Sequence, residues 1–304
     1  MQKKPEIIIT DIDLDGAASA LVWEWIGSNS NRVIKPVRVL ELSEKIINIY
    51  KNIDLEKCDV CIFDLDTSQC TDEALHIIDN NNFTIIDHHT SHVKNKDIYK
   101  KANIFIEECT SCTKLIYKKY KEQLKDLSIQ QKMLIGLVDD YDSYRLKSGL
   151  SRGLNLIFWN YQGNKIEKFH KEYFEGFKNF TDKQINIINF YENKIKNITK
   201  SLELFEADIQ ISNHNVKIIS TFASECINDV CQFIIDTHKA DIAITVNLTS
   251  QKVSIRKHKD CNVPLDVFAK KIFTEGGGHH DAAGGMMCDR FATFSKTFKP
   301  LDAK

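Results

Sequence analysis

Three short apolar segments in the first third of the chain are each followed at once by an aspartate. They are Glu6–Thr10 before Asp11, Cys58–Phe63 before Asp64, and Phe83–Ile86 before Asp87. Short runs rich in β-branched residues are typical of strands buried on both faces of a parallel sheet. Because the carboxyl ends of parallel strands meet at one sheet edge, where ligands bind, the pattern predicts an acidic site at that edge.

Helix-like segments alternate with these strands. The helical segments are Gly16–Trp25, Ser43–Lys51 and Thr71–Asp79, and Val33–Val39 is a further strand. The alternation predicts an α/β fold whose N-terminal sheet is doubly wound and mainly parallel. The period then becomes mainly helical, over Cys112–Leu124, Ile129–Val138 and Ile166–Phe174.

A long helix is predicted to divide the chain. Thr181 and Gln184 have the spacing of a capping box, and an apolar stripe with a helical period follows as far as Phe205. Strands and helices then alternate again, over Asn215–Ser220, Glu225–His238, Ala240–Leu248, Lys252–Lys257 and Pro264–Ile272. We therefore predict a catalytic domain at residues 1–180, a connecting helix at 181–206 and a smaller α/β domain at 207–304, with the active-site cleft between the domains.

The composition excludes several classes of protein. With 304 residues, of which 42% are apolar, the chain can bury a sizeable core and is not globally disordered. A formal charge of −1 does not fit a uniformly basic nucleic-acid coat, although it leaves room for a local basic groove. An odd number of cysteines, nine, indicates reduced thiols, and no run approaches membrane-spanning length, so we expect a soluble cytoplasmic protein with no membrane partner.

The first acidic segment is Asp11-Ile-Asp13-Leu-Asp15-Gly16. In an extended segment this spacing places the three carboxylates on one side, where they repel one another unless a cation neutralises them. Carboxylate oxygens suit Mg²⁺ or Mn²⁺. The alternative is a solvated acidic loop that caps the next helix.

Three further segments carry candidate ligands. They contain Asp64 with Asp66 nearby, the triplet Asp87-His88-His89, and the three acids Asp139, Asp140 and Asp142. Mixed oxygen and imidazole ligands favour Mn²⁺ over Mg²⁺. Together with the first segment they supply the kind and number of groups that a two-metal phosphoryl-transfer site requires.

The order of these motifs resembles the DHH phosphoesterase superfamily. The matching residues are Asp13-Leu-Asp15-Gly16, Asp64, Asp87-His88-His89 and Asp140. Near the C-terminus, Gly276-Gly277-Gly278-His279, followed by Ala282-Ala-Gly-Gly285, resembles the glycine-rich signature of the DHH-associated C-terminal domain. The resemblance covers nearly the whole chain.

This resemblance implies a hydrolase of phosphoric esters that uses two divalent metal ions, with Mn²⁺ expected and Mg²⁺ as the alternative. The implied metal ligands are Asp11, Asp13, Asp15, Asp64, His88 and Asp140. Asp64 would bridge both ions, and Asp140 is preferred to Asp139 and Asp142 for its match to the fourth motif. His89 would complete the catalytic set beside the substrate phosphate. Arg256, Gly276, Gly277, Gly278 and His279 would bind the substrate.

One position departs from the pattern of many small members, which carry a histidine four residues before Asp13. This chain has Ile9 there, and Asp11 is the expected substitute ligand. The alternating aspartates are similar to those of the RecJ-type exonucleases, whereas the chain length is similar to that of the nanoRNase and oligoribonuclease-like members.

The leading functional hypothesis is hydrolysis of short single-stranded oligonucleotides to nucleoside monophosphates by water activated between two metal ions. The enzymatic alternatives are a RecJ-like single-strand DNA exonuclease, a cyclic-dinucleotide phosphodiesterase and a 3′-phosphoadenosine phosphate phosphatase. The alternative without catalysis is a degenerate member that senses nucleotides. The sequence leaves open RNA or DNA as substrate, cleavage polarity and whether the protein is a homodimer.

Overall fold

The computed structural model of the chain describes residues 4–27, 31–211, 214–278 and 280–301. The chain separates into two compact units, Met1–Ile188 and Asn189–Lys304. The division falls within a helix, Asp182–Lys200. The predicted capping box is present at its start, because the Thr181 N–H donates to Gln184 Oε1 at 2.8 Å and the Gln184 N–H donates to Thr181 Oγ1 at 3.3 Å. The domain limits drawn from the sequence stay a prediction.

The first unit is built on a parallel sheet. Its strands are β1 (Glu6–Thr10), β2 (Arg32–Pro36), β3 (Asp59–Phe63), β4 (Phe83–Asp87) and β5 (Asn103–Ile106). Its helices are α1 (Leu14–Ile26), α2 (Leu42–Asn52), α3 (Asp72–Asn80), α4 (Thr90–Asn95), α5 (Cys112–Lys119), α6 (Ile129–Asp142), α7 (Gly149–Asn160) and α8 (Lys165–Tyr173), followed by α9 (Asp182–Lys200). The strand order is β2-β1-β3-β4-β5, so the direction of the connections reverses between β1 and β3. A reversal of this kind opens a crevice at the carboxyl ends of the strands.

Alternation along β1 shows how helices cover both faces of the sheet. Ile7 and Ile9 pack in one core cluster with α2 and α3 residues such as Ile46 and Ala74. Ile8 packs on the other face in a cluster that includes residues of α1 and α5. The doubly wound, parallel sheet predicted from the sequence is therefore confirmed.

The second unit contains a mixed sheet. Its strands are β6 (Leu204–Ile211), β7 (His214–Phe222), β8 (Ile242–Asn247), β9 (Lys252–Lys257), β10 (Gly277–Gly278), β11 (Ala282–Met286) and β12 (Lys299–Pro300). Its helices are α10 (Ile227–His238), α11 (Leu265–Ile272) and α12 (Asp289–Ser295). β7 and β8 are parallel across the α10 connection, and the other pairs are antiparallel. The predicted α/β character of this region is confirmed.

Several boundaries differ from the sequence prediction. The prediction missed β5, α7 and β6, and it ended α6 at Val138, whereas the helix continues to Asp142. The long helix was predicted to end at residue 206, but it ends at Lys200, and β6 begins at Leu204. Among the described residues, no helix has both the length and the apolar character needed to cross a membrane.

Ile9 packs in the apolar core. Its side chain is fully buried, at 0% exposure, among the apolar residues that α2 and α3 present to the sheet. The position at which many small DHH members carry a histidine is therefore occupied by a packing residue in this chain.

We predict that Ile9→His destabilises the protein and restores no ligand. The imidazole would lose the apolar contacts of the isoleucine and would bury polar nitrogens among apolar side chains, at a cost of roughly 2 kcal/mol or more. Urea unfolding measures this loss, with Val33→His on the half-exposed β2 as the control, which should change stability little. A variant of native stability with tighter Mn²⁺ binding would contradict the assignment of Ile9 to the core.

Candidate metal centre

Nε2 of His88 is the point at which three carboxylates converge. It lies 3.3 Å from Asp64 Oδ1, 3.5 Å from Asp142 Oδ2 and 3.8 Å from Asp15 Oδ2. Nδ1 of His88 lies 3.0 Å from the backbone carbonyl oxygen of Cys109. Because a carbonyl oxygen only accepts hydrogen bonds, Nδ1 carries a proton. Burial lowers the pKa of His88, but the carboxylates of Asp15 and Asp142 more than offset this and raise it. Nε2 would become a metal ligand on losing its proton.

The N-terminus of α5 holds the Asp15 carboxylate in place. The backbone N–H groups of Cys112 and Thr113 donate to its two oxygens at 2.6 and 3.0 Å, and the Thr113 hydroxyl donates to the Asp15 carbonyl at 3.1 Å. These N–H groups have no partner within their own helix, and they carry the positive end of the helix dipole. A carboxylate fully buried among other acids is stabilised by this arrangement.

Asp64 follows β3 in an unusual backbone conformation. Its φ is +58°, and its N–H donates to the carbonyl of Ile86 on β4 at 3.1 Å. Aspartate enters this left-handed region more readily than most residues, at a cost of order 1 kcal/mol. The turn directs the buried carboxylate toward His88 at the point where the connections reverse. The competing Asp66 has a different role, because its carboxylate accepts hydrogen bonds from Ser68, Gln69 and Ser91.

Asp142, rather than Asp140, joins this group. Oxygen and nitrogen atoms of Asp15, His88 and Asp142 lie within 4.8 Å of one another, as do those of Asp64, His88 and His89. The sequence prediction preferred Asp140, and on this point the structure differs. The difference arises because α6 continues to Asp142, which carries that side chain to the acidic edge.

Asp140 instead holds the turn that follows α6. Its carboxylate accepts hydrogen bonds from the N–H groups of Lys147 and Ser148, both at 3.1 Å, and from the Ser151 hydroxyl at 2.8 Å. Asp139 is buried in an ion-pair network with Lys114, at 2.8 Å, and Arg145. With their hydrogen-bonding capacity used in this way, both acids act as structural anchors of the segment that bears Asp142.

Asp11 and Asp13 lie between β1 and α1. Asp13 caps α1 by accepting the Gly16 N–H at 2.9 Å, and Asp11 accepts the N–H of Ile12 at 2.5 Å. A Cβ at Gly16 would lie 2.5 Å from the Asp11 carbonyl oxygen, so glycine is required for this tight turn. The structure thus places both acids beside Asp15, in the segment where the sequence predicts ligands.

His89 is oriented by Asp87. Its Nδ1 lies 2.7 Å from Asp87 Oδ1 and donates to that fully buried carboxylate. Burial by itself raises the pKa of Asp87, but the hydrogen bonds from His89 and His92 lower it well below its usual range. Burial lowers the pKa of His89, and the bond to Asp87 more than offsets this, giving a pKa of about 9.

The acidic edge carries an excess of negative charge. Burial, together with Asp11 and Asp15, raises the pKa of Asp13 to about 7. Burial and the neighbouring acids also raise the pKa of Asp64, of Asp142 and of Asp11 above the usual range. Groups that resist ionisation because they are crowded with like charges are stabilised by a bound cation. With His88 Nε2 as a nitrogen donor, the donor set fits Mn²⁺, and Mg²⁺ is the alternative.

Apart from His89, the predicted substrate-binding residues belong to the second unit. The Arg256 guanidinium donates to Asn228 Oδ1 at 2.7 Å and to the Ile255 carbonyl at 2.8 Å. A Cβ at Gly276 would lie 2.3 Å from the Ala269 carbonyl, and Gly278 has a φ of +133°, so packing and backbone conformation require both glycines. By contrast, nothing lies within 4 Å of a Cβ built at Gly277. His279 lies outside the described residues.

Comparison with known proteins identifies the fold. No family model matches the sequence, and no curated protein matches it. Among solved structures, the pGpG-specific phosphodiesterase PggH from Vibrio cholerae aligns with a TM-score of 0.54 at 12% identity, over 96% of each chain. RecJ exonuclease bound to manganese aligns with a TM-score of 0.52 at 14% identity, over 97% of this chain and 89% of that chain.

CDC45 from Entamoeba histolytica also shares the architecture, with a TM-score of 0.53 at 10% identity, over 97% of this chain and 94% of that chain. These structures have the DHH fold, and this chain has the same fold. At such low identity the likeness concerns the fold alone.

We predict that Asp142→Asn and Asp140→Asn have opposite effects. Asp142→Asn should weaken Mn²⁺ binding by about tenfold or more and leave the metal-free protein at least as stable, because it relieves repulsion with Asp15. Asp140→Asn should leave Mn²⁺ affinity nearly unchanged and cost about 1–3 kcal/mol, because an amide N–H would face the donors of the turn. Calorimetric Mn²⁺ titration and urea unfolding test the pair, and the reverse pattern would restore Asp140 as the ligand.

We also predict that the stabilisation by Mn²⁺ increases with pH. The folded-state pKa of Asp13, about 7, exceeds its ordinary value of 3.8, so the metal-free protein loses stability as the pH rises toward and through 7. Because a bound cation removes this penalty, the rise in melting temperature caused by Mn²⁺ should be larger at about pH 8 than at about pH 6. Asp13→Asn is the control and should show a smaller pH dependence. An equal rise at both pH values in the unmodified protein would rule out this explanation.

Proposed function

We propose that this protein is a divalent-metal-dependent phosphodiesterase that hydrolyses short single-stranded oligonucleotides to nucleoside monophosphates. The observation that carries the proposal is the convergence of Asp15, Asp64 and Asp142 on Nε2 of His88, with distances of 3.3 to 3.8 Å. This cluster lies at the carboxyl edge of a DHH-fold sheet, beside the reversal of the connections, which is where open α/β sheets bind ligands.

The donors divide naturally into two sets that share Asp64. Asp15, His88 and Asp142 would hold one ion with Asp64, and Asp11 and Asp13 would hold the other with Asp64. Two such ions, when bound, polarise the phosphoryl group and lower the pKa of an attacking water. Mn²⁺ is the expected ion because imidazole and carboxylate occur together.

The chain's own residues orient the phosphate and balance its charge. Asp87 fixes the His89 ring through Nδ1 and, with a pKa of about 9, His89 is an imidazolium at neutral pH. Its Nε2–H is then suited to donate a charge-assisted hydrogen bond to a phosphate oxygen. We therefore keep His89 as the residue that contacts the substrate phosphate, although its ring also lies in the group formed by Asp64 and His88.

In the second unit we assign phosphate binding to Arg256, to the glycines Gly276–Gly278 and to His279. The open space at the Cβ position of Gly277 supports this assignment, because the fold itself does not require glycine there. A backbone without a side chain lets its N–H groups approach a phosphate closely.

The proposal of a short substrate is supported by the fold likeness to a phosphodiesterase that acts on a dinucleotide. PggH, a pGpG-specific phosphodiesterase, aligns with this chain over 96% of each. A second candidate, a RecJ-like single-strand exonuclease, is favoured by the alternating Asp11, Asp13 and Asp15 and by the fold likeness to RecJ bound to manganese.

A substrate panel in Mn²⁺ tests the function. The panel consists of dinucleotides, five-mers and 20-mers of RNA and DNA, cyclic dinucleotides and 3′-phosphoadenosine phosphate. We expect the highest kcat/KM on the dinucleotides and five-mers, with nucleoside monophosphates as products. Asp64→Asn should abolish turnover, by about 1,000-fold or more, because it removes the shared ligand of both ions.

Asp66→Asn is the matched control, since this buried aspartate follows the same strand but binds Ser68, Gln69 and Ser91. It should retain activity where it remains folded. Preferential, processive digestion of the 20-mers would favour the exonuclease. Nucleotide binding without turnover of any substrate would refute the enzymatic proposal in favour of a sensor.

A further inference from the structure

A second histidine donates to the aspartate of the Asp87-His88-His89 triplet. His92, on α4, is fully buried, and its Nδ1 lies 2.7 Å from Asp87 Oδ2. On the other side of the ring, Nε2 lies 3.0 Å from both the Thr67 hydroxyl and the Tyr99 hydroxyl, which also contact each other. Both ring nitrogens of His92 are therefore engaged by protein atoms.

The two oxygens of Asp87 are divided between two imidazoles. His89 Nδ1 donates to Oδ1 at 2.7 Å, and His92 Nδ1 donates to Oδ2 at the same distance. The terminal torsion of an aspartate side chain is broad, so a single hydrogen bond does not hold the carboxylate plane. A second donor on the opposite oxygen removes this rotational freedom.

The partners of His92 come from separate segments of the first unit. Thr67 begins the short turn that follows Asp64, and Tyr99 lies between α4 and β5. Asp87 ends β4. His92 thus ties the segment after the bridging aspartate to the strand end that carries His88 and His89.

We propose that His92 is a positioning residue, which holds the Asp87 carboxylate so that Asp87 in turn aims the His89 ring at the substrate phosphate. The proposal rests on the phosphate-contacting role given to His89 under the proposed function. His92 itself is buried and contacts neither the substrate nor the cluster of ligand atoms around His88.

The competing explanation is that His92 only fills space in the core. Two substitutions separate these roles because each places an amide group near a different ring nitrogen of His92. Asparagine places its amide nitrogen near the position of Nδ1 and can still donate to Asp87. Glutamine is closer to histidine in size and places its amide near Nε2, toward Thr67 and Tyr99, but leaves Asp87 Oδ2 without this donor.

The experiment compares His92→Asn with His92→Gln on a short oligonucleotide in saturating Mn²⁺. We expect kcat to fall by about 10–100-fold in His92→Gln and much less in His92→Asn, as for other residues that orient a site through a hydrogen bond. The dissociation constant for Mn²⁺, measured by electron paramagnetic resonance, should stay unchanged in both. Tyr99→Phe, which alters only the Nε2 side, should behave like His92→Asn. If glutamine preserves kcat as well as or better than asparagine, the positioning role is overturned.

A second readout does not depend on catalysis. In the metal-free protein, proton–nitrogen correlation spectra should show slowly exchanging Nδ1 protons for both His89 and His92, since each is bonded to a buried carboxylate. The His89 signal should persist in His92→Asn and broaden or vanish in His92→Gln. Absence of both protected protons from the unmodified protein, or an unchanged His89 signal in His92→Gln, would overturn the inference. If these spectra behave as expected but the unmodified protein hydrolyses nothing, the proposed function fails while the hydrogen-bond network stands.

Discussion

Repulsion among buried carboxylates is the constraint on which the site depends. Asp11, Asp13, Asp15, Asp64 and Asp142 crowd one edge of the sheet, and the pKa of Asp13 rises to about 7 as a result of burial and of its acidic neighbours. The fold offsets this repulsion with backbone donors, most clearly at Asp15, where two N–H groups of α5 bind one carboxylate. The positive end of the α5 dipole thereby stabilises the negative charge of the buried Asp15 carboxylate. A divalent cation would neutralise the negative charge that these backbone donors leave uncompensated.

The same edge contains the local backbone features that aim each side chain. Asp64 has a left-handed conformation, and Gly16 permits the chain to turn within contact of the Asp11 backbone. Such strain persists where the surrounding structure over-determines it. The left-handed conformation of Asp64 is held by the hydrogen bond from its N–H to the Ile86 carbonyl and by the buried strand β3 that precedes it. The backbone of the sheet edge therefore sets the direction of these side chains.

The sequence was informative where one local pattern decided the structure. β-branched runs that end in acids predicted β1, β3 and β4, together with the edge at which Asp15, Asp64 and His88 meet. The sequence prediction missed elements in exposed or irregular segments, where the alternation of apolar residues is weak. β5 is an edge strand with an exposed Asn103, and it lacks the strong apolar run of β1. The glycine-rich signature at residues 276–278 was recognised in the sequence. Only the structure distinguishes Gly276 and Gly278, which packing or backbone conformation requires to be glycine, from Gly277, which has open space at its Cβ position.

The three acids near the end of α6 show why motif matching and the structure favour different residues at the acidic edge. Leu134 and Val138 lie one turn apart and pack with Leu14 and Ala17 of α1. One further turn of the same stripe reaches Asp142, so the helical period brings this residue to the N-terminal end of α1, beside Asp15. The prediction ended the helix at Val138, where the apolar residues of the helical period end. Acids are unfavourable near a helix C-terminus. In the structure, Asp139 is paired with Lys114 and Arg145, and Asp140 binds the N–H groups of the following turn. Two compensated acids thus allow the helix to continue far enough for the third to reach His88.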